Sequence, residues 1–296
     1  MELRQLEYFV AVAEEGNFTK AAARCAVSQP SLSQAIINLE RDVKQQLFDR
    51  LGRSVQLTDA GRLLLDRALD ILHAIADTRK ELRDLGQPAA LSVGAIPTMA
   101  PYLFPDILPR FRERYPETTL HIREDYTPKL LEAIGTGQLD LAIMALPVED
   151  ERCSSQALFR EPLIVALPHQ HPLLDAHDIG LRELLSVPFI LLDEMHCLGE
   201  QVVTFCRRQP NEPQIVCRGS QLSTILALVA LGQGVSLVPE MATRNDTSGC
   251  EFRLVRGESP SRTVAAVWHR RRYRSPLVRA FIEMVKTFHP GDSGVG

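Results

Sequence analysis

The chain has 296 residues, 45% hydrophobic and 24% charged, with 33 Lys+Arg against 37 Asp+Glu for a net charge of −4. That length suggests about two domains, and that composition excludes a disordered, collagenous or acidic-tail protein. The charge balance gives no global basic field, so any nucleic-acid binding must be local, and the longest apolar stretch, Ile225 to Val238, is broken by Gly232, Gln233 and Gly234 before it reaches the roughly 18 residues that span a bilayer.

Glu2, Arg4, Glu7, Glu14 and Glu15 interrupt the first apolar positions, which a signal peptide would not tolerate. A cytoplasmic protein with no membrane partner is expected. Its six cysteines are sparse for the length, and a reducing compartment keeps them as thiols unless oxidation is their purpose.

From Met1 to about Thr58 the apolar residues repeat at three- and four-residue steps, as in Leu3, Leu6, Phe9, Val12 and Ala13, which reads as short helices. Residues 18–40 have the spacing of a helix-turn-helix. Small alanines at 21–23 allow a close helix crossing, a turn falls at Cys25 to Val27, and a second helix opens with Ser28 as cap and Pro30 in its first turn. Leu32, Ile36 and Leu39 form its buried stripe, while Gln29, Ser31, Ser33, Gln34 and Asn38 face the other way. Those are base-edge and phosphate partners, presented where a recognition helix enters the major groove. Lys/Arg and Asp/Glu balance over residues 1–58, so charge alone does not separate this from an ordinary helical hairpin. Placement does: residues 47–58 read as a β-ribbon wing that carries Arg50 and Arg53 to flanking phosphates or a minor groove. The candidate DNA-binding set is Thr19, Ser28, Gln29, Pro30, Ser31, Ser33, Gln34, Arg50 and Arg53.

Residues 59–85 carry one apolar stripe, Leu63, Leu64, Ala68, Leu72, Ile75, Thr78, Leu82 and Leu85, with no proline and no glycine after Gly61. A helix of that length is a rod of roughly 40 Å, which reads as a linker that pairs with a second copy of itself. Gly86, Gln87 and Pro88 end it. Beyond it the pattern alternates: strands at 91–94, 119–123 and 139–144 with helices at 102–115 and 129–135, then strands at 163–167, 189–192 and 235–238 with helices at 181–185, 199–207 and 222–231. Two α/β lobes with a cleft between them fit the residues from Ala89 onward.

The run Leu6, Phe9, Ala21-Ala22, Leu32-Ser33, Ile37, Leu39-Glu40, Leu47-Phe48, Arg50, Leu57-Thr58 and Ala60-Gly61 resembles the LysR-type transcriptional regulators. The resemblance implies an α/β chain with an N-terminal winged helix-turn-helix at 1–58, a dimerising linker helix and hinge at 59–88, and a regulatory domain at 89–296 built like periplasmic binding proteins. Lobe I would take about 89–160 and 267–296, and lobe II about 161–266. It further implies promoter DNA and RNA polymerase as partners, a homodimer or homotetramer, no enzyme activity, no cofactor and no metal.

A second informative run is Asp193-Glu194-Met195-His196-Cys197-Leu198-Gly199, continuing through Gln201 to Phe205-Cys206. Two cysteines nine residues apart fit buried small hydrophobes, and one His with two Cys does not reproduce the paired clusters of structural zinc sites. Two features point to redox chemistry. Cys197 enters the first turn of the expected helix, where the dipole favours thiolate, and His196 stands beside it; Asp193 and Glu194 oppose that shift. On one continuous helix the two cysteines would lie about 13.5 Å apart along the axis, whereas a disulfide needs Cα atoms within about 7 Å. A bond between them would therefore require the helix to unwind, which Gly199 makes easier, and such a bond is a switch.

His196-Cys197-Leu198, Gln201 and Phe205-Cys206, with Ile96-Pro97-Thr98, Pro101-Tyr102-Leu103 and Arg262-Thr263, resemble the OxyR-type peroxide sensors within the LysR family. The resemblance implies an activator of antioxidant genes that takes hydrogen peroxide and is recycled by a thiol reductant. By position, Cys197 would be peroxidatic and Cys206 resolving, with Thr98, Thr127, His196 and Arg262 lining the peroxide pocket. Gly199 and Met195 depart from the enteric pattern, which has Arg and Gly at those places. A LysR-type regulator that binds a small metabolite between its lobes is the alternative. A thiol peroxidase would leave residues 1–58 without a role. Cys25, Cys153, Cys217 and Cys250 have no comparable neighbours, and the run Arg270 to Arg274 reads as a solvated loop.

Overall fold

The computed structural model describes residues 1–51, 54–84, 90–175, 178–193, 198–199, 202, 214–244, 249–257 and 260–288, with backbone alone at 50, 51, 54, 80, 83, 84 and 178. It divides into two compact units, Met1–Gly86 and Gln87–Gly296.

The first unit runs α1 (Leu3–Glu15), α2 (Phe18–Arg24), α3 (Gln29–Val43), β1 (Phe48–Leu51), β2 (Ser54–Leu57) and α4 (Asp59–Asp84). Its boundaries are set by local chemistry. Gly16, at φ 58°, ends α1 in the left-handed region, and the Asn17 side chain accepts from the Thr19 and Lys20 amides to open α2. The turn between α2 and α3 includes Ala26 at φ 54°, and Ser28 caps α3 by accepting from the Ser31 amide. Phe9, Val12, Leu32, Ile36 and Leu39 are buried in one core, and the Phe48 ring stands 5.2 Å from that of Phe9.

The wing is tied to the helices by side chains of the motif residues. Glu40 Oε1 accepts from the Leu47 amide at 2.8 Å. Thr58 Oγ1 donates to the Gln46 carbonyl and accepts from the Gly61 amide, which opens α4. Gly61 has no room for a Cβ, because one would collide with the Leu47 carbonyl.

The apolar stripe of α4 is divided. Ala68 is fully buried in the core of its own unit, with Leu64, Leu65, Leu69 and Leu72 packed against it, whereas Leu63, Ile71 and Leu82 are exposed. Leu64 and Leu72, which sequence alone puts on a dimer face, are half-buried against this core; so small a unit needs the first half of this helix to close its core.

The second unit contains an eight-stranded sheet in the order β4-β3-β5-β12-β6-β11-β7, with β10 also on β6. Its strands are β3 (Ala90–Ala95), β4 (Thr119–Glu124), β5 (Leu141–Ala145), β6 (Cys153–Pro168), β7 (Asp178–Ile179), β10 (Ser236–Pro239), β11 (Cys250–Val255) and β12 (Ser261–His269). A separate parallel pair joins β8 (Phe189–Leu192) to β9 (Ile215–Gly219). The helices are α5 (Ala100–Arg114), α6 (Thr127–Thr136), α7 (Leu181–Leu184), α8 (Leu222–Ala230) and α9 (Pro276–Lys286).

Strand β6 belongs to both lobes. Its first part pairs with β12, and its last residues pair with β10 and β11. One core gathers β3, α5, α6, β5 and α9; the other gathers the end of β6 with β8, α8 and β10. Strand β12 pairs with β5 from Val264 to Val267, and Val264 and Ala266 lie in the first lobe's core, ahead of the boundary at about 267 expected from sequence. Of the helix expected at 199–207, only Gly199 and Val202 are described, both helical and buried.

Candidate functional site

Two sets of expected residues can be located, one in each unit. In the first, Ser28, Gln29, Pro30, Ser31 and Gln34 lie exposed along the first turns of α3, with Ser33 half-buried, and Thr19 is exposed at the start of α2. The Ser28 and Ser31 hydroxyls are 2.7 Å apart, and Gln34 Nε2 donates to Asn38 Oδ1 at 3.1 Å. A helix N-terminus with hydroxyls and amides on its open face suits phosphate and base edges. The Arg50 backbone pairs with Val55 in the wing; its side chain and all of Arg53 lie outside the described residues.

In the second unit the chain assembles a cluster around Arg262. Thr98 sits in the turn between β3 and α5, Glu161 midway along β6, and Arg262 near the start of β12. Arg262 and Glu161 are register partners across the two antiparallel strands, so the sheet itself places the pair. Arg262 Nε donates to Glu161 Oε2 at 2.7 Å, Nη1 to Thr98 Oγ1 at 2.7 Å, and Nη2 to the Thr98 carbonyl at 3.1 Å. Nη2 also lies 3.6 Å from Met241 Sδ. The other Glu161 oxygen, Oε1, accepts from the Met241 amide at 2.9 Å; Met241 belongs to a 3-10 turn at Glu240–Thr243. Both charged side chains are 0% exposed. Taking two ions out of water is affordable only when geometry and further hydrogen bonds satisfy them, as they do here.

An arginine has no acceptor, so Thr98 Oγ1 must accept from it. The hydroxyl proton of Thr98 is therefore not used in its bond to Arg262 and can be donated to another acceptor. Nearby, burial pushes the Glu240 carboxyl above the usual range and the Glu161 charge adds to that, while Arg244 opposes it.

Thr127 opens α6, which follows β4 as α5 follows β3. Ala95 and Glu124 are register partners at the ends of these parallel strands, so Thr98 and Thr127 each lie three residues past the same sheet edge, where ligands of α/β proteins bind. His196, Cys197 and Cys206 lie outside the described residues. Beside them, Gly199 is buried, and a Cβ there would come within 2.5 Å of the Leu192 carbonyl. Its lack of a side chain is thus a matter of close approach, which its reading as a weak helix former did not anticipate.

The remaining cysteines are free thiols. Burial pushes the Cys153 thiol up to about 11, with Asp150 adding and Arg152 opposing, and burial likewise raises Cys25. Cys217 and Cys250 donate to carbonyls at 3.7 Å and 3.2 Å. A raised pKa keeps a thiol protonated and unreactive. In the basic run, Arg270 and Arg271 are exposed, while Arg274 stacks over Trp268 at 4.7 Å. Sequence reasoning missed Glu161 and Met241: a charge inside a strand and a lone methionine carry no signal of a partner far along the chain. Among the described residues no helix is long and apolar enough to cross a membrane.

Comparison with known proteins covers nearly the whole chain. Residues 3–62 match the bacterial regulatory helix-turn-helix proteins of the lysR family, and residues 86–289 match the LysR substrate binding domain. The "DNA-binding transcriptional dual regulator OxyR" of Escherichia coli K12 is 33% identical over 94% of this chain and 91% of its own. The "Hca operon transcriptional activator HcaR" of the same organism is 35% identical over 97% of each. A full-length OxyR cysteine-to-aspartate variant from Pseudomonas aeruginosa superposes with a TM-score of 0.73 at 33% identity, covering 98% of this chain and 96% of that one.

Proposed function

The chain belongs to the LysR family of transcriptional regulators, and on that premise we propose that it senses hydrogen peroxide and switches promoter binding through Cys197 and Cys206. The observation that carries this reading is the likeness to OxyR over 94% of the chain in a sequence that has cysteines at 197 and 206 with His196 beside the first.

The proposed chemistry balances. Cys197 thiolate attacks one peroxide oxygen, the O–O bond breaks, and the departing hydroxide takes a proton to become water, leaving a sulfenic acid. The Cys206 thiol then attacks that sulfur, expelling a second water and closing the disulfide. Thr98, Thr127, His196 and Arg262 would hold the peroxide, the Thr98 proton bonding to an oxygen that gains charge as the O–O bond breaks. A thiol reductant reopens the disulfide. The readout is promoter DNA, held by the first turns of α3 and by Arg50 and Arg53 of the wing, in a homodimer or homotetramer that works with RNA polymerase in the cytoplasm and activates antioxidant genes.

The match of residues 86–289 to the LysR substrate binding domain favours a second reading, a regulator that answers a small metabolite held between the lobes. The Arg262 guanidinium is already neutralised by Glu161, which makes it a poor anchor for an anionic effector. A promoter fusion separates the two: peroxide should induce it in the wild type and not in Cys197→Ser. Induction by peroxide that survives Cys197→Ser would favour the metabolite reading.

A further inference from the structure

We propose that Glu161 is the positioning residue of the peroxide pocket: it fixes the Arg262 guanidinium so that Thr98 is held as a hydrogen-bond donor to peroxide. This rests on the peroxide-sensing reading and adds to it a residue that does not itself meet the oxidant.

The geometry carries the inference in three steps. Arg262 is a long side chain with several rotatable bonds, so the orientation of its guanidinium must be fixed by its partners. Glu161 removes that freedom, since a 2.7 Å bond from Nε fixes the plane of the fork and leaves Nη1 and Nη2 aimed at Thr98. The carboxylate is itself fixed, because its second oxygen takes the Met241 amide of the 3-10 turn and because its backbone is in register with Arg262. Both atoms of the ion pair are sealed from water, so the arrangement is set before peroxide enters. Glu161 touches Arg262 and Met241, and Arg262 in turn orients Thr98. Its effect on peroxide passes entirely through that relay.

The test measures two reactions of Cys197 in the full-length protein: sulfenic acid formation with hydrogen peroxide, trapped by dimedone, and alkylation by iodoacetamide. A displacement of about 1 Å in positioned groups lowers a rate by about 100-fold. Glu161→Gln should slow the peroxide reaction by about that factor and leave alkylation unchanged, whereas general damage to the lobe would alter both. Glu161→Asp, which keeps the charge on a shorter stem, should recover part of the loss.

Removing one partner of a buried pair threatens folding, whereas replacing both by apolar groups is often tolerated, so the double variant Glu161→Met/Arg262→Met is the second arm. If Glu161 acts through Arg262, the double variant should be as slow as Arg262→Met alone. The inference is overturned if Glu161→Gln reacts with peroxide as fast as the wild type, or if the double variant is slower than Arg262→Met by a further large factor. A wild-type Cys197 that ignores peroxide would overturn the sensing reading and this inference together, and is told apart by that control.

Discussion

The exposed polar face of α3 and the Arg262 cluster are the two sets of polar groups that the proposed function puts at a ligand, yet they are built in opposite ways. Ser28, Gln29, Ser31 and Gln34 stand in water on one helix, and the contacts Ser28–Ser31 and Gln34–Asn38 span three and four residues. Arg262, Glu161 and Thr98 are shut away from water, and their bonds join residues 101 and 164 positions apart. An exposed face can be altered with little effect on folding, because water replaces each lost partner. A buried cluster couples function to stability, since any partner removed leaves a charge or a hydrogen bond unsatisfied.

The largest expected effect lies in the cluster. Arg262→Ala strands the Glu161 carboxylate in a sealed site, and a loss of about 3–5 kcal/mol is expected in denaturant unfolding of the regulatory unit. A loss below about 1 kcal/mol would mean the site is wetter than the buried pair implies. Next comes Gly61→Ala, whose Cβ would drive into the Leu47 carbonyl; overpacking of this kind destabilises by about 1–3 kcal/mol. That variant would show that the DNA-binding unit also has points without tolerance, at its backbone crossings.

The exposed face should behave differently. Gln29→Ala or Ser33→Ala should change unfolding by no more than about 0.5 kcal/mol and yet lower discrimination between operator and random DNA by about 1–3 kcal/mol per lost base contact. Arg50→Ala should weaken binding to all sequences and flatten its salt dependence; footprints in which it affects specific sites alone would contradict its phosphate role.

The last expected effect is alkaline. The folded Cys153 thiol is raised from 9.0 to about 11, so its contribution to stability is complete below about pH 9 and is lost as pH rises through 11. Cys153→Ala should flatten that part of the stability profile, and native Cys153 should resist alkylation at neutral pH.

The contrast between the two regions also explains what could be read from the sequence. The helix-turn-helix was legible because Ser28, the alanines of α2 and the Leu32-Ile36-Leu39 stripe act over one or two turns. Strand β8 was legible as a short apolar run. Only 163–167 of β6 was expected as strand, because its first half, Ser154 to Arg160, is mostly polar and alternates between half-buried and exposed positions. Strands β9 and β11 and helix α9 were missed. The first two mix charged or polar residues among their apolar ones and are stabilised by partners distant in the chain. Arg262 could be singled out by resemblance, but Glu161 could not be found at all, since only the register of β6 against β12 makes it a partner. The apolar stripe of α4 was legible as a stripe. How it is shared between the chain's own core and solvent depends on packing that periodicity does not encode.

Peptide mapping of the full-length protein after treatment with one equivalent of hydrogen peroxide tests the central claim most directly. The account predicts a disulfide between Cys197 and Cys206, with Cys25, Cys153, Cys217 and Cys250 recovered as free thiols. Recovery of Cys197 as a free thiol, or its linkage to Cys217 or Cys250, would contradict it.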